Sequence, residues 1–319
     1  MKQTALIFGI TGQDGAYLSR HLIDLGYLVY GVSRHTSDSD YSNLRIVDTL
    51  SSVTILEGSI LDFRSIQKAI EKVKPQEIYN LAGPSSISYS LAEPASAFNS
   101  QVDLNVNILE AIRLFSASIR YFSAGSSECF GRLQKESCDE DTQFDPETSY
   151  AAAKAASFWL TRIYRESYGL FACSGIMSNH ESPLRSETYV SQKIVTGAVE
   201  IHRGQRSKLE LGNLEAQRDW GWAPEYVATM HTMLQQGRPS DYVIATGKSH
   251  TVMDFARLVF EEVGLNWRDH VYSSTQLRRS TDPLVVRLNP EKARKELGWI
   301  ARHTLQDIAH AMVEAKQST

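Results

Sequence analysis

One short stretch constrains this chain more than any other: an apolar run, Ala5-Leu6-Ile7-Phe8, that breaks into Gly9-Ile10-Thr11-Gly12-Gln13-Asp14-Gly15. A strand, a Gly-x-x-Gly-x-x-Gly turn and an amphipathic segment, Ala16–Leu25, follow one another without a gap. Glycines at this spacing permit a tight turn, a close backbone approach to a pyrophosphate and close helix–strand packing. The helix N-terminus then presents its amides to the phosphates, so the segment predicts a dinucleotide site at one end of a parallel sheet.

The rest of the first half agrees. Leu28–Val32, Val53–Leu56, Glu77–Leu81, Arg120–Ser123 and Ala172–Ile176 are further strand-length runs. They lack polar alternation, as strands buried on both faces must, and the amphipathic stretches between them suit right-handed crossovers. After residue 178 the rhythm changes. Turn-rich, charged stretches at 179–188 and 204–222 alternate with helical ones at 189–203, 223–236 and 251–263, and a final segment, 289–313, carries Asn-Pro at its start, then Glu-Lys-Ala-Arg-Lys-Glu-Leu and a second amphipathic helix. The predicted fold class is α/β: a Rossmann-type doubly wound parallel sheet with a smaller C-terminal α/β substrate-binding lobe. Residues 1–178 are expected to form the nucleotide-binding domain and 179–319 mainly the substrate lobe, with some chain returning to the sheet domain.

A net charge of −4 gives no electrostatic reason to expect nucleic acid or a membrane as partner, and an anionic substrate would need local cations. Residues 1–9 are too short an apolar run for a signal peptide or a span. Cys129, Cys138 and Cys173 lack metal-ligand spacing, so reduced thiols in a cytoplasmic protein without a bound metal are expected.

The cofactor and its chemistry are readable in outline. Val32-Ser33-Arg34-His35-Thr36 ends the second predicted strand without the acid that usually grips an NAD ribose, and offers Arg34 instead. A guanidinium there suits a ribose 2′-phosphate, which points to NADP over NAD. Tyr150 and Lys154 are four residues apart, hence on one helix face, where the ammonium favours a phenolate general base. Ser126-Ser127-Glu128 follows a predicted strand and adds hydroxyls and a carboxylate. Together they suffice for alcohol oxidation followed by removal of a carbon acid's proton.

GITGQDGAYL (9–18), PQEIYNLAG (75–83), SSECFG (126–131), SYAAAK (149–154), NHESPLR (179–185), LGNLEAQRDWG (211–221) and DYVIATG (241–247) carry a resemblance along nearly the whole chain. The sequence resembles the GDP-mannose 4,6-dehydratase family of the extended short-chain dehydrogenase/reductase superfamily. That resemblance implies a cytoplasmic, NADP-dependent hydro-lyase of nucleotide-sugar and deoxysugar metabolism, a homodimer or homotetramer acting on a GDP-sugar. By this likeness Ser126, Glu128, Tyr150 and Lys154 are catalytic. Gly9, Thr11, Gly12, Gln13, Asp14, Gly15, Arg34, Ser59, Ile60, Leu81, Ala82, Tyr150, Lys154 and His180 hold the cofactor. Ser85, Ser127, Asn179, Lys193, Leu211, Gly212, Arg218, Arg279 and Asp282 hold the substrate.

The chain also departs from the family pattern. Gly83-Pro84-Ser85-Ser86 replaces an Ala-Gln-Ser-Phe/His stretch, and Met177-Ser178 a Leu-Phe pair. Ser186, Gln192, Asp282 and Ser59 replace Gly, Arg, Glu and Asp. Exchanging a pocket Phe for Ser vacates on the order of 100 Å³, room for one more hydroxymethyl group. GDP-manno-heptose is therefore the alternative substrate to GDP-mannose, and a GDP-4-keto-sugar reductase or epimerase is a third reading.

Overall fold

All five residues of β1 (Thr4–Phe8) are buried, as are all four of β4 (Glu77–Asn80) and all six of β6 (Ala172–Met177). Both faces of these strands are covered, which is why their sequences run without alternation. With β2 (Leu28–Ser33), β3 (Val53–Glu57), β5 (Arg120–Ala124) and β10 (Tyr242–Ile244) they form a seven-stranded sheet ordered β10-β6-β5-β4-β1-β2-β3. Pairing is parallel from β3 through to β6, with Ile7 opposite both Gly31 and Tyr79. Strand order reverses between β1 and β4, and such a switch point opens a crevice at the strands' C-terminal ends.

A computed structural model describes residues 2–34, 41–84, 87–131, 137–277, 285 and 287–318, the side chains of Ile87 and Ser88 excepted. The chain divides into two compact units. The first comprises Met1–Cys129, Phe144–Met177 and Pro224–Tyr242. Its helices are α1 (Gln13–Asp24), α2 (Ser42–Ile46), α3 (Phe63–Val73), α4 (Ile87–Ala92), α5 (Pro94–Phe115), α6 (Ser149–Tyr168) and most of α8 (Ala223–Leu234). Leu6 and Phe8 of the sheet pack with Ile66, Leu104, Ile108 and Ile112 of α3 and α5. Each such side chain contributes about 1.5–3 kcal/mol by burial. Local signals set the ends of the helices. The Asp62 carboxylate accepts from the Arg64 and Ser65 amides to start α3, Thr148 Oγ1 accepts from the Ala151 amide to start α6, and Gly169 at φ 67° stops it.

The second unit comprises Phe130–Gln143, Ser178–Ala223 and Val243–Thr319. It contains a three-stranded sheet, β11 (Ser249–Thr251), β9 (Gln217–Trp222) and β7 (Asn179–Glu181), in that order. A parallel pair, β8 (Leu209–Leu211) and β12 (Val271–Ser273), stands beside α7 (Val190–His202), α9 (Val252–Glu262), α10 (Glu291–Leu297) and α11 (Leu305–Gln317). Ile194, Val199, Leu209, Phe255, Phe260 and Ile308 belong to its core. Capping boxes, Thr251 with Asp254 and Thr304 with Asp307, begin α9 and α11. The stretches 179–188 and 204–222, read above as turns, hold β7, β8 and β9. Strands of three residues are too short to display an alternation, and β9 carries Arg218 and Asp219 at buried positions.

Candidate active site

The glycine turn sits at the switch point. Gly9 adopts φ 88°, and a Cβ there would lie 2.8 Å from the Leu81 carbonyl carbon and the Ala82 amide nitrogen. A Cβ on Gly15 would stand 2.2 Å from the Gly9 oxygen, so neither position accepts a side chain without moving backbone. Gly12 caps α1 without a side-chain hydrogen bond, which leaves the first amides of the helix directed at whatever lies before it. The Thr11–Gly12 peptide is held at both ends: Asn43 Nδ2 donates to the Thr11 carbonyl at 2.9 Å and the Gly12 amide to the Gly9 carbonyl at 3.1 Å.

Arg34 is exposed immediately beyond β2, Ser59 and Ile60 follow β3, and Leu81 and Ala82 follow β4. Ser59 Oγ accepts from the Leu61 amide at 3.3 Å. The structure thus gathers Gly9, Thr11, Gly12, Gln13, Asp14, Gly15, Arg34, Ser59, Ile60, Leu81 and Ala82 at the C-terminal ends of four adjacent strands.

The next two elements of the same unit carry the catalytic candidates. Ser126 follows β5, Ser127 and Glu128 open a short 3₁₀ turn (Ser127–Phe130), and Tyr150 and Lys154 lie in the first two turns of α6. Ser126, Ser127, Tyr150 and Lys154 are buried, and Glu128 is half-buried. Ser126 Oγ accepts from the Glu128 amide at 3.3 Å, which fixes the base candidate relative to the hydroxyl. Lys154 Nζ donates to the Ala124 carbonyl at 2.8 Å and lies 5.8 Å from the centroid of the Tyr150 ring. Burial pulls the ammonium's pKa down to about 8, while Cys129 and Asp14 push it the other way.

Residues that sequence reading passed over hold this arrangement. The Cys129 thiol donates to the Ala151 carbonyl at 3.6 Å, tying the 3₁₀ turn to α6. Asn105, fully buried in α5, accepts from Tyr121 Oη at 2.6 Å and Ser123 Oγ at 3.2 Å. Its amide donates to the Ser157 carbonyl at 3.1 Å and Thr161 Oγ1 at 3.4 Å on α6. The signal was present as a polar residue at a buried position of α5, beside the buried Leu104, Ile108 and Leu109.

In the second unit, Asn179 and His180 lie on β7, in register with Trp220 and Gly221. His180 Nδ1 donates to the Ser178 carbonyl at 2.8 Å. Arg218 is buried on β9 and donates Nη1 to the Gln217 carbonyl at 2.7 Å. Lys193 is half-buried in the first turn of α7, and Leu211 ends β8 with its side chain in the core. Gly212 passes so close to the Leu277 carbonyl that a Cβ would stand 2.7 Å from it. Ser178, one of the residues that suggested a larger sugar, is 3% exposed and donates Oγ to Asp219 Oδ1 at 2.9 Å, so its hydroxyl is already engaged. His35, Ser85, Ser86, Arg279 and Asp282 lie outside the described residues.

A doubly wound sheet with a glycine turn at its switch point and a Tyr-x-x-x-Lys helix beside the next strand defines a Rossmann-type protein of the extended short-chain dehydrogenase/reductase class. Residues 6–312 match the sequence profile of the family described as GDP-mannose 4,6 dehydratase. The chain is 39% identical over 323 residues to GDP-mannose 4,6 dehydratase 1 of Arabidopsis thaliana, with 98% of this chain and 89% of that one covered. To the GDP-mannose 4,6-dehydratase of Sinorhizobium fredii (strain HH103) it is 38% identical over 336 residues, with 98% and 96% covered. The crystal structure of dTDP-glucose 4,6-dehydratase from Bacillus anthracis in complex with NAD superposes with a TM-score of 0.86 at 20% identity, over 99% of this chain and 97% of that one; this is a likeness of fold. The chain belongs to the GDP-mannose 4,6-dehydratase family. Among the described residues, no helix is long and apolar enough to cross a membrane.

Proposed function

We propose that this protein is an NADP-dependent GDP-mannose 4,6-dehydratase. The observation that carries the reading is the Lys154–Ala124 hydrogen bond. It seats a buried ammonium under Tyr150 in the same unit, and beside the same strand end, as Ser126 and Glu128. The glycine turn fits a dinucleotide, since added Cβ atoms at Gly9 and Gly15 would collide with backbone where a pyrophosphate needs close approach. Gly9, Thr11, Gly12, Gln13, Asp14 and Gly15 would hold the pyrophosphate, Arg34 the 2′-phosphate, Ser59 and Ile60 the adenosine side, and Leu81, Ala82 and His180 the remainder. When bound, the nicotinamide supplies a hydride acceptor and, later in the cycle, a hydride donor.

The residues of this chain account for the proton movements. Tyr150, its phenolate favoured by Lys154, takes the proton of the sugar's C4 hydroxyl as that carbon is oxidised. Ser126 Oγ donates a hydrogen bond to the C4 oxygen and stabilises the carbonyl. The ketone acidifies C5–H, and only then can a carboxylate of ordinary strength remove that proton, so Glu128 acts second. Water leaves from C6, and reduction at C6 with reprotonation at C5 completes a redox-neutral cycle. Ser127, Asn179, Lys193, Leu211, Gly212 and Arg218, together with Ser85, Arg279 and Asp282, are assigned to the GDP-sugar, whose diphosphate needs cations that an acidic chain does not supply in bulk.

Incubation with GDP-mannose and mass spectrometry of the product test this directly. Loss of one water without net consumption of added NADPH is expected, whereas stoichiometric consumption of NADPH would mark a reductase. GDP-manno-heptose, assayed in parallel, measures the alternative substrate, which draws only on Ser86 once the Ser178 hydroxyl is bound to Asp219.

A further inference from the structure

Asp219 places a carboxylate where water does not reach. It is 1% exposed at the centre of β9. Its Oδ1 accepts from Ser178 Oγ at 2.9 Å and from the Thr246 amide at 2.9 Å, and its Oδ2 accepts from the Gly247 amide at 2.7 Å. Burial pushes the carboxyl above its ordinary range against the pull of these donors. A buried carboxylate with so little solvent depends on every donor it has, and the segments that provide them are held in turn.

The donors come from two separate stretches of chain. Ser178 precedes β7, and its own amide donates to the Ile244 carbonyl at 3.0 Å while its carbonyl accepts from His180 Nδ1. Thr246 and Gly247 form the turn before β11, which pairs with β9 through His250 opposite Arg218. β7 and β9 pair with Asn179 opposite Trp220, so Ser178 faces Asp219 as the continuation of that register. Side chains alternate along a strand, which turns Asn179 and Arg218, their sequence neighbours, to the opposite face.

We infer that Asp219 is a positioning residue for the sugar nucleotide: through Ser178 and the Thr246–Gly247 amides it fixes β7 against β9, and so fixes Asn179 and Arg218. The inference rests on the function proposed above, which assigns that pair to the nucleotide and its diphosphate. Ser178 gives it a feature particular to this chain, because the family pattern has Phe there. A hydrogen bond to a buried charge is directional where packing is not.

Isothermal titration of wild type, Ser178→Ala and Asp219→Asn with GDP and, separately, with NADP tests it, alongside steady-state kinetics with GDP-mannose. Ser178→Ala is expected to weaken GDP binding and raise KM about tenfold, Asp219→Asn by more, with NADP affinity within about twofold of wild type and the loss falling on KM rather than kcat. Ser178→Ala protein that binds GDP as wild type does, or that loses NADP and GDP affinity alike, overturns the inference. Should Asp219→Asn fail to fold, the Ser178→Ala titrations decide alone. Wild-type protein that binds neither GDP nor GDP-mannose overturns the function itself, and the inference with it.

Discussion

Asn105 of α5 donates its side-chain amide to the main-chain carbonyl of Ser157 in α6, at 3.1 Å, one turn beyond Lys154. The contact closes a circuit. Ser123 donates to Asn105, Ala124 follows Ser123 and accepts from Lys154, and α6 returns from Lys154 to Ser157. One amide of α5 therefore ties β5 to α6 on either side of the ammonium. Thr161 Oγ1 also donates to the Ser157 carbonyl, at 2.8 Å, so this oxygen serves several donors at the point where the helix is anchored.

Asn105→Ala is expected to destabilise the protein by about 3 kcal/mol or more, because Tyr121 and Ser123 lose a buried acceptor and Thr161 a donor. Urea unfolding of wild type and variant measures it. A change below about 1 kcal/mol would mean that water replaces the amide, and the circuit would then have no structural weight.

Arg34→Ala is expected to weaken NADP binding by about 1–3 kcal/mol and leave NAD binding nearly unchanged, since only NADP carries a 2′-phosphate. Titrating both cofactors against both proteins is the measurement. Equal losses would mean that Arg34 is structural and that the preference for NADP has no support from it.

Two histidines make stability depend on pH. Burial pulls both His21 and His231 below the usual value of 6.5, and the His231 ring, 5.4 Å away, further disfavours a charge on His21. Tyr27 Oη, 3.1 Å from His231 Nε2, donates to the buried Glu77, which draws His231 the other way. A depressed histidine leaves the folded state with fewer protons than the unfolded chain, so its contribution is complete above pH 6.5 and is lost as pH falls below that. Thermal unfolding followed from pH 7.5 to 5.5 is expected to show a falling midpoint, and His21→Leu a shallower fall. His310 works in the opposite direction through Glu262, but it is exposed and screened.

The sheet was legible because buried parallel strands leave continuous apolar runs, and β1 to β6 each begin within a residue of the predicted runs. The glycine turn and the Tyr150–Lys154 pair were legible because local backbone geometry dictates residue type at fixed spacing. The roles of Asn105 and Asn43 were not, since the carbonyls of Ser157 and Thr11 that they bind lie 52 and 32 residues away along the chain and no spacing records it. Ser178 illustrates the same limit. The sequence shows a lost aromatic, and only the fold shows that the hydroxyl has a buried carboxylate to bind.

The sharpest prediction separates the two halves of the proposed mechanism. Tyr150→Phe removes the group that accepts the C4 proton and is expected to abolish turnover together with any transient reduced cofactor. Glu128→Gln keeps the shape of the side chain but cannot take the C5 proton. It is expected to oxidise C4 and accumulate the absorbance of bound NADPH while product formation falls about 10²–10⁴-fold. Ser126 Oγ accepts from the main-chain amide of Glu128, which the substitution leaves in place. In deuterium oxide the wild type should place solvent deuterium at C5 of the product while the hydrogen originally on C4 moves internally to C6. A Glu128→Gln protein that dehydrates at the wild-type rate would show that Glu128 is not the base, and a wild type without solvent hydrogen at C5 would show that the reaction does not pass through C5 deprotonation beside a C4 ketone.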